Sequence, residues 1–168
     1  MYMIAITPDD TEWYTPQYIL DKVYNVFPVS LDPCSNEERT VDAQVHYTEN
    51  VDGLKQLWCG NVFVNPPYGR EIGKWTKKFL EEWNNGHIKN AILLVPVKTD
   101  TKWWGELSQY LSCWCAVHGR VKFVSPDLEK QTTVGTFASA VILFTRDNEI
   151  QFKFYAQFYN LGTLWGRV

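Results

Sequence analysis

The chain has no apolar run that approaches the ~18 consecutive residues of a membrane-spanning helix. Its first ten residues, MYMIAITPDD, also lack the basic segment and the long apolar stretch that are typical of a secretion signal. We therefore expect a soluble, cytoplasmic protein with no membrane partner.

Sequence signals for phosphate loops and metal sites are absent as well. There is no G-x-G-x-x-G run and no Walker lysine, which argues against a nucleoside triphosphatase. The four cysteines do not have the spacing of a zinc site, because Cys113 and Cys115 form a C-x-C on one face of a predicted strand without a second pair. We expect free, buried thiols and no metal.

Positive charge is not in excess, since the formal net charge is −3. Its distribution is more informative. Residues 1–69 carry three Lys or Arg against ten Asp or Glu, whereas residues 70–130 carry ten against seven. This split indicates either two surfaces with different partners or an uneven but solvated charge.

What is present suits one globular domain over residues 1–168, with 45% hydrophobic and 15% aromatic residues and eight Trp. Thr15 followed by Pro16 predicts the N-cap of a helix that ends before Pro28. Strand and helix patterns alternate from there to about residue 111, and only strand patterns follow. The predicted strands are 29–32, 61–65, 91–97, 113–124, 138–145 and a last one near 150–159; further helices are predicted at 72–83 and 103–111.

This order predicts an α/β fold with a mainly parallel sheet flanked by helices and an antiparallel C-terminal edge. In such sheets ligands bind beyond the carboxyl ends of the strands. Two polar turns lie at predicted strand ends, Asp32-Pro33-Cys34-Ser35 and Asn65-Pro66-Pro67-Tyr68-Gly69. We expect both turns to form the site.

The second turn has a chemistry of its own. Pro66 and Pro67 remove two backbone donors and stiffen the loop, Asn65 adds an acceptor oxygen, and Tyr68 adds a flat ring. Rigid acceptors beside a ring suit a planar substrate with an amino group. Accepting its two N–H bonds favours a tetrahedral nitrogen that attacks an electrophilic methyl group, and this stabilisation grows in the transition state.

The turn resembles the [DNS]-P-P-[YFW] hallmark of S-adenosylmethionine-dependent amino-methyltransferases. Four further segments extend this likeness: Trp13-Tyr14-Thr15-Pro16, Leu31-Asp32-Pro33-Cys34, Asp52-Gly53-Leu54 with Trp58, and the run from Val95 to Trp104. With them the chain resembles the phage-type DNA N6-adenine methyltransferases over roughly residues 13–144. That resemblance implies an abridged Rossmann-like methyltransferase fold, DNA as partner, and a bacterial or phage-infected cell with a restriction–modification setting. A monomer and a dimer fit the sequence equally.

The resemblance also implies roles for single residues. The Asn65 oxygen and the Pro66 carbonyl would hold the adenine amino group, with Pro67 stiffening the loop and Tyr68 stacked on the ring of a flipped base. The S-adenosylmethionine contacts would come from the N-terminal segment, from both turns and from a separate acidic position, Asp52, that meets the adenosine: Trp13, Thr15, Pro16, Asp32, Pro33, Cys34, Asp52 and Asn65. The usual glycine-rich first loop is replaced by Asp32-Pro33-Cys34-Ser35.

The basic middle of the chain supplies residues for the DNA phosphates, whose contacts must offset the cost of flipping a base. The candidates are Arg70, Lys74, Lys98, Lys102, Arg120 and Lys122, with Lys77, Lys78 and Lys130 and a DNA-facing loop near 125–135. Each lysine of the predicted helix 72–83 fits a solvated helix face equally well. Trp103 and Trp104 favour packing over a role in the site.

Two other functions stay open from the residues alone. The same turn serves amino-group methylation of RNA, of protein glutamine or of cytosine N4. A non-catalytic DNA-binding relative is the alternative of a different class.

Overall fold

The computed structural model describes residues 13–124, 133–134 and 137–166. Strands and helices alternate through most of them. In chain order the elements are α1 Gln17–Val26, β1 Val29–Asp32, β2 Ala43–His46, a 3-10 helix Gly53–Lys55, β3 Gly60–Val64, α2 Ile72–Asn84, β4 Ile88–Pro96, α3 Lys102–Ser108, β5 Cys113–Val117, β6 Lys122–Phe123, β7 Thr133–Val134, β8 Ser139–Phe144, α4 Asn148–Phe158 and β9 Gly162–Gly166.

A mixed sheet of seven strands, in the order β2-β1-β3-β4-β8-β5-β9, forms the middle layer. The four strands β2, β1, β3 and β4 are parallel, and β8 inserts antiparallel between β4 and β5. At the outer edge β9 runs antiparallel to β5. The Rossmann-like α/β fold with an antiparallel C-terminal edge, predicted from the sequence, is confirmed.

Helices cover both faces of this sheet. On one face α1 and α4 pack against a core cluster that includes Phe63, Ile92 and Leu94, and on the other face α2 and α3 pack against a cluster that includes Val62 and Leu93. Because β4 is buried on both faces, it is a nearly continuous apolar run. Because β1, β3 and β4 are parallel, their carboxyl ends lie together along one side of the sheet, which we call the carboxyl edge.

The prediction that Thr15 caps the first helix is wrong. Helix α1 begins at Gln17, and Pro16 occupies the N-cap position with extended backbone angles, φ −67° and ψ 146°. Proline favours this conformation because its ring fixes φ. The Thr15 hydroxyl therefore does not cap the helix, and it accepts a hydrogen bond from the Asn65 side chain instead.

The strand predicted near 150–159 is also wrong, because this segment forms α4 and the last strand, β9, follows it. Residues 150–159 alternate aromatic and polar side chains in a pattern typical of a strand. The Asp147 carboxylate accepts a hydrogen bond from the Glu149 N–H at 2.8 Å, which caps the helix. Phe154 and Phe158, four residues apart, are fully buried on the inner face of α4.

Two further differences concern short strands. The predicted strand 113–124 is two strands, since the chain turns at Gly119, whose φ is +73°. Strand β2 was not predicted; its four residues, Ala-Gln-Val-His, are all at least partly exposed and carry no apolar pattern. Cys113 and Cys115 are buried on β5 and form no disulfide, as predicted, whereas Cys34 is partly exposed and Cys59 is exposed.

No helix of the described residues is long and apolar enough to cross a membrane. In the same residues, no three His, Cys, Asp or Glu side chains come together in a group that could hold a metal ion.

Candidate functional site

The two polar turns lie side by side at the carboxyl edge. Strands β1 and β3 are neighbours in register, with Leu31 opposite Val62. Asp32 is the last residue of β1, and Asn65 directly follows β3. The topology therefore brings together the two turns that the sequence marks as functional.

Asp32 is buried, with 4% of its surface exposed. Burial raises the pKa of its carboxyl group to about 6, although hydrogen bonds from the Cys34 N–H, at 3.1 Å, and from Ser35 and the charge of His46 lower it. The same burial raises the pKa of the Cys34 thiol well above its usual value. A carboxylate in this environment favours a cationic ligand, which would replace the lost hydration.

The segment of Asp52 and Gly53 packs on the first turn. A side chain on Gly53 would place its Cβ 2.1 Å from the Pro33 carbonyl oxygen, so only glycine allows this approach. The buried Trp58 indole N–H donates to the Gly53 carbonyl at 2.8 Å and holds the segment there. Asp52 itself is half-exposed and paired with Lys55 at 2.8 Å, and the hydrogen bond from Lys55 lowers the pKa of its carboxyl group.

The side-chain nitrogen of Asn65 points back to the segment before α1. It donates to the Thr15 hydroxyl oxygen at 3.1 Å and, at a long 3.5 Å, to the Trp13 carbonyl. Pro66 is buried and Pro67 partly exposed. The side-chain oxygen of Asn65 is thus the end of the amide that accepts further hydrogen bonds.

Tyr68 is anchored between the two core clusters and contacts both. Its hydroxyl donates to the Leu94 carbonyl of β4 at 3.4 Å, and its ring meets the Phe123 ring edge-on, with centroids 5.9 Å apart. Burial raises the pKa of the Tyr68 phenol, which therefore stays protonated at neutral pH. This tyrosine offers an aromatic surface rather than an acid or a base.

The segment before α1 completes the described site and links it to β6. Tyr14 exchanges two backbone hydrogen bonds with Val124, at 2.9 and 3.0 Å. The Trp13 indole nitrogen is buried, and it is the one buried side-chain polar atom without a hydrogen-bond partner among the described residues. A buried donor without a partner is costly, so this N–H suits a ligand that accepts a hydrogen bond.

Sequence reasoning did not find Gly53, Tyr14 or Phe123 as parts of this site. Gly53 was named only within the segment Asp52-Gly53-Leu54 with Trp58 that carries the resemblance, although a glycine near a tryptophan could have indicated a close backbone approach. Tyr14 was named only within the segment Trp13-Tyr14-Thr15-Pro16, without a role of its own, and Phe123 lies in an apolar context that carries no functional signal.

The basic residues fall into two groups. Arg70 follows the Tyr68 turn, and Lys98 follows β4 with its ammonium 4.6 Å from the Phe137 ring centroid. Arg120 precedes β6, and Lys122 is the first residue of that strand. These four lie at the carboxyl edge. On the helices the lysines are mostly paired with acids: Lys74 with Glu71, Lys78 with the buried Glu82, and Lys102 with Glu106.

Other candidates are placed as follows. Trp104 is buried and packs edge-on against Trp103 and Trp114, so the prediction that this pair packs is confirmed for Trp104. Lys77 is exposed on α2. Lys130 and the predicted DNA-facing loop, except for 133–134, lie outside the described residues.

The family model described as DNA N-6-adenine-methyltransferase (Dam) matches residues 5–158. No curated protein matches the chain.

Proposed function

The chain belongs to the DNA N-6-adenine-methyltransferase (Dam) family, which makes it a DNA adenine-N6 methyltransferase, and from this premise we propose that it transfers the methyl group of S-adenosylmethionine to a flipped adenine. The observation that carries the proposal is the Asn65–Tyr68 turn beside the buried Asp32 turn at one sheet edge. A rigid set of acceptors thus lies next to a carboxylate that favours a cation.

The residues present fit S-adenosylmethionine, a cation with a carboxylate, an ammonium and an adenosine group. The Trp13 N–H, which has no partner among the described residues, provides a donor for an acceptor group, and the buried Asp32 carboxylate provides a counter-charge. When bound, S-adenosylmethionine supplies a methyl group on a positively charged sulfur. We assign its contacts to Trp13, Thr15 and Pro16, to Asp32, Pro33 and Cys34, and to Asp52 and Asn65.

The chain's own residues act on the adenine. The Asn65 side-chain oxygen and the Pro66 carbonyl accept hydrogen bonds from the two N–H groups of the N6 amine. The nitrogen then becomes more tetrahedral, and its lone pair is no longer delocalised into the adenine ring. As positive charge develops on this nitrogen, both acceptors bind it more strongly, which stabilises the transition state over the ground state. The side chain of Tyr68 holds the ring, and its protonated phenol takes no part in proton transfer. As the bond from N6 to the methyl carbon formed, the methyl–sulfur bond would break and leave a neutral thioether, and the methylated nitrogen would release one proton to water.

Reaching N6 in this pocket requires the adenine to leave the DNA stack, which costs a few kcal/mol. We assign the compensating phosphate contacts to Arg70, Lys98, Arg120 and Lys122 at the carboxyl edge, and to Lys74 and Lys102 at the starts of α2 and α3. Residues 1–168 act in this proposal as a single catalytic domain.

Asn65 provides the test. Asn65→Ala removes the acceptor and should lower methyl transfer by about 100-fold or more, while cofactor affinity falls less. Transfer of tritiated methyl groups to DNA, RNA and protein substrates measures this, and label recovered as N6-methyladenine in DNA supports the proposal. Label on RNA, glutamine or cytosine N4 instead would overturn the substrate assignment.

Asn84→Ala is the matched control, because this exposed asparagine ends α2 far from the turn. It should leave transfer unchanged. Calorimetry of the wild-type chain with S-adenosylmethionine separates an enzyme from a non-catalytic DNA-binding relative, which would bind no cofactor.

Mapping methylated adenines after expression in a methylation-free host addresses the cellular setting. We propose that the chain acts in the cytoplasm of a bacterial or phage-infected cell, within restriction–modification. Methylation at a defined DNA sequence that blocks a cognate restriction enzyme supports this setting, and scattered methylation without protection contradicts it.

A further inference from the structure

The Asn65 amide has two chemically different ends, and only one of them is able to accept hydrogen bonds from an adenine amino group. If the amide turned by half a revolution, its NH2 group would face the substrate amine and repel it. The proposed reaction therefore requires something in the chain that fixes the orientation of this amide.

We propose that Thr15 is a positioning residue: its hydroxyl holds the Asn65 amide in the orientation that the Trp13 carbonyl selects, with the nitrogen turned inward and the oxygen left for the substrate. The Thr15 hydroxyl oxygen accepts the hydrogen bond from the Asn65 nitrogen at 3.1 Å. Thr15 is 7% exposed, so water competes little for this bond. The inference rests on the proposed function and adds to Thr15 a role other than the cofactor contact.

A hydroxyl alone does not decide the orientation, because it both donates and accepts. The second neighbour of the Asn65 nitrogen decides it. The Trp13 carbonyl, 3.5 Å away, is an acceptor only, so an amide oxygen at this position would face another oxygen. The carbonyl sets the direction of the amide, and the Thr15 hydroxyl supplies the shorter bond.

The backbone around Thr15 is held on both sides, so its hydroxyl is a fixed point. Tyr14 is paired with Val124 through two backbone hydrogen bonds. Pro16 is held by its own ring, and its carbonyl accepts the Ile19 N–H at 3.0 Å in the first turn of α1. A rigid neighbour of this kind costs no reorganisation when the substrate binds.

The first test compares Thr15→Val, which keeps the shape, with Thr15→Ser, which keeps the hydroxyl. We expect Thr15→Val to lower kcat by about 10- to 100-fold, in line with the cost of a misplaced reacting group. Thr15→Ser should stay close to the wild type. Thr15→Ala, which removes the hydroxyl without filling its space, should follow Thr15→Val.

The second test uses Asn65→Ala, which leaves no amide to orient. In that background we expect Thr15→Val to lose most of its effect on kcat. An equal effect in both backgrounds would show independent sites and would overturn the positioning role.

The cofactor affinity separates positioning from cofactor contact. Calorimetry with S-adenosylmethionine should show that Thr15→Val raises the Kd by a smaller factor than it lowers kcat. A raised Kd with unchanged kcat at saturation would assign Thr15 to the cofactor alone and overturn the inference, as would full activity of Thr15→Val. An inactive wild-type chain would instead overturn the proposed function, so the two failures are distinct.

Discussion

The buried Asp32 carboxylate lowers the free energy of unfolding at neutral pH, because burial disfavours its ionised form. Burial raises the pKa of its carboxyl group to about 6 in the folded chain, against 3.8 for the free side chain. Well below pH 3.8 the carboxyl group is protonated in both states and does not lower the stability. As the pH rises to about 6, the unfolded state loses its proton first, so the folded state becomes less stable.

Asp32→Asn should therefore stabilise the chain at pH 7.5. One pKa unit corresponds to about 1.4 kcal/mol, so the gain is about 2 to 3 kcal/mol. The amide oxygen still accepts the Cys34 N–H. Urea unfolding between pH 3 and pH 8 should show a difference from the wild type that is absent at the lowest pH and constant above about pH 6.5.

Asp21→Asn, on the exposed side of α1, is the control and should show no such growing difference. In a His46→Gln background the effect of Asp32→Asn should be larger, because the charge of His46 lowers the pKa of Asp32. A flat difference for Asp32→Asn across this range would mean that the carboxyl group is hydrated in solution.

Single residues were predicted from sequence where their chemistry is local. The Asn-Pro-Pro-Tyr run contains its acceptors and its ring within four residues, so its position after a strand could be deduced. The bond between Asn65 and Thr15 joins residues fifty positions apart and depends on the sheet topology. No pattern in the sequence reports such a distance.

At the scale of elements, the 3-10 helix and the first turn depend on one close contact. Gly53→Ala would drive a Cβ into the Pro33 carbonyl, 2.1 Å away, and separate the two segments. We expect a loss of about 1 to 3 kcal/mol in the free energy of unfolding, as in other overpacked sites, together with weaker cofactor binding.

Gly73→Ala is its matched control. Apart from the backbone of α2 itself and the two neighbouring residues, no atom of the described residues lies within 4 Å of the Cβ that would be added to Gly73. Alanine also favours a helix by up to about 1 kcal/mol. This variant should be as stable as the wild type or more so. Equal stability of Gly53→Ala and the wild type in urea unfolding would contradict the contact.

Helix α4 depends on a cap that the alternating aromatic pattern obscured. Because the Asp147 carboxylate accepts the Glu149 N–H at 2.8 Å, Asp147→Ala should cost about 1 kcal/mol in the free energy of unfolding. Asn148→Ala, at the next position, should cost less. If both variants unfold at the wild-type urea concentration, the cap contributes nothing.

The elements that the sequence predicted well are those with long buried patterns. Helix α2 and strand β4 have apolar residues at the spacing of a stripe or of a continuous run, and burial preserves that pattern. Strand β2 was not predicted, because its four residues are at least partly exposed at a sheet edge and therefore have no pattern of buried apolar side chains. Its pairing with β1 depends on the neighbouring strand rather than on its own residues.

For the whole molecule, the opposite charges of the first and middle thirds acquire a structural meaning. The first third contributes the buried Asp32 and the paired Asp52 to the turns at the carboxyl edge. The middle third contributes Arg70, Lys98, Arg120 and Lys122 at that same edge, whereas Lys74, Lys78 and Lys102 have acidic partners on the helices. The net charge of −3 conceals this arrangement.

The carboxyl-edge cations should therefore determine the salt dependence of DNA binding. Each lost phosphate contact reduces the slope of log K against log salt by about 0.9 for duplex DNA. We expect this reduction for Arg70→Ala, Arg120→Ala and Lys122→Ala, with weaker binding that is similar for all DNA sequences. Fluorescence anisotropy with a labelled duplex at several salt concentrations measures both quantities.

Lys153→Ala is the control, since Lys153 pairs with Glu149 on α4 at 3.1 Å and should leave the slope unchanged. The triple variant of Arg70, Arg120 and Lys122 should reduce the slope about three times as much as one single variant does, because the contacts are with separate phosphates. A triple variant with the wild-type slope would place the DNA on another face. The carboxyl edge could then not receive a flipped adenine from the bound duplex.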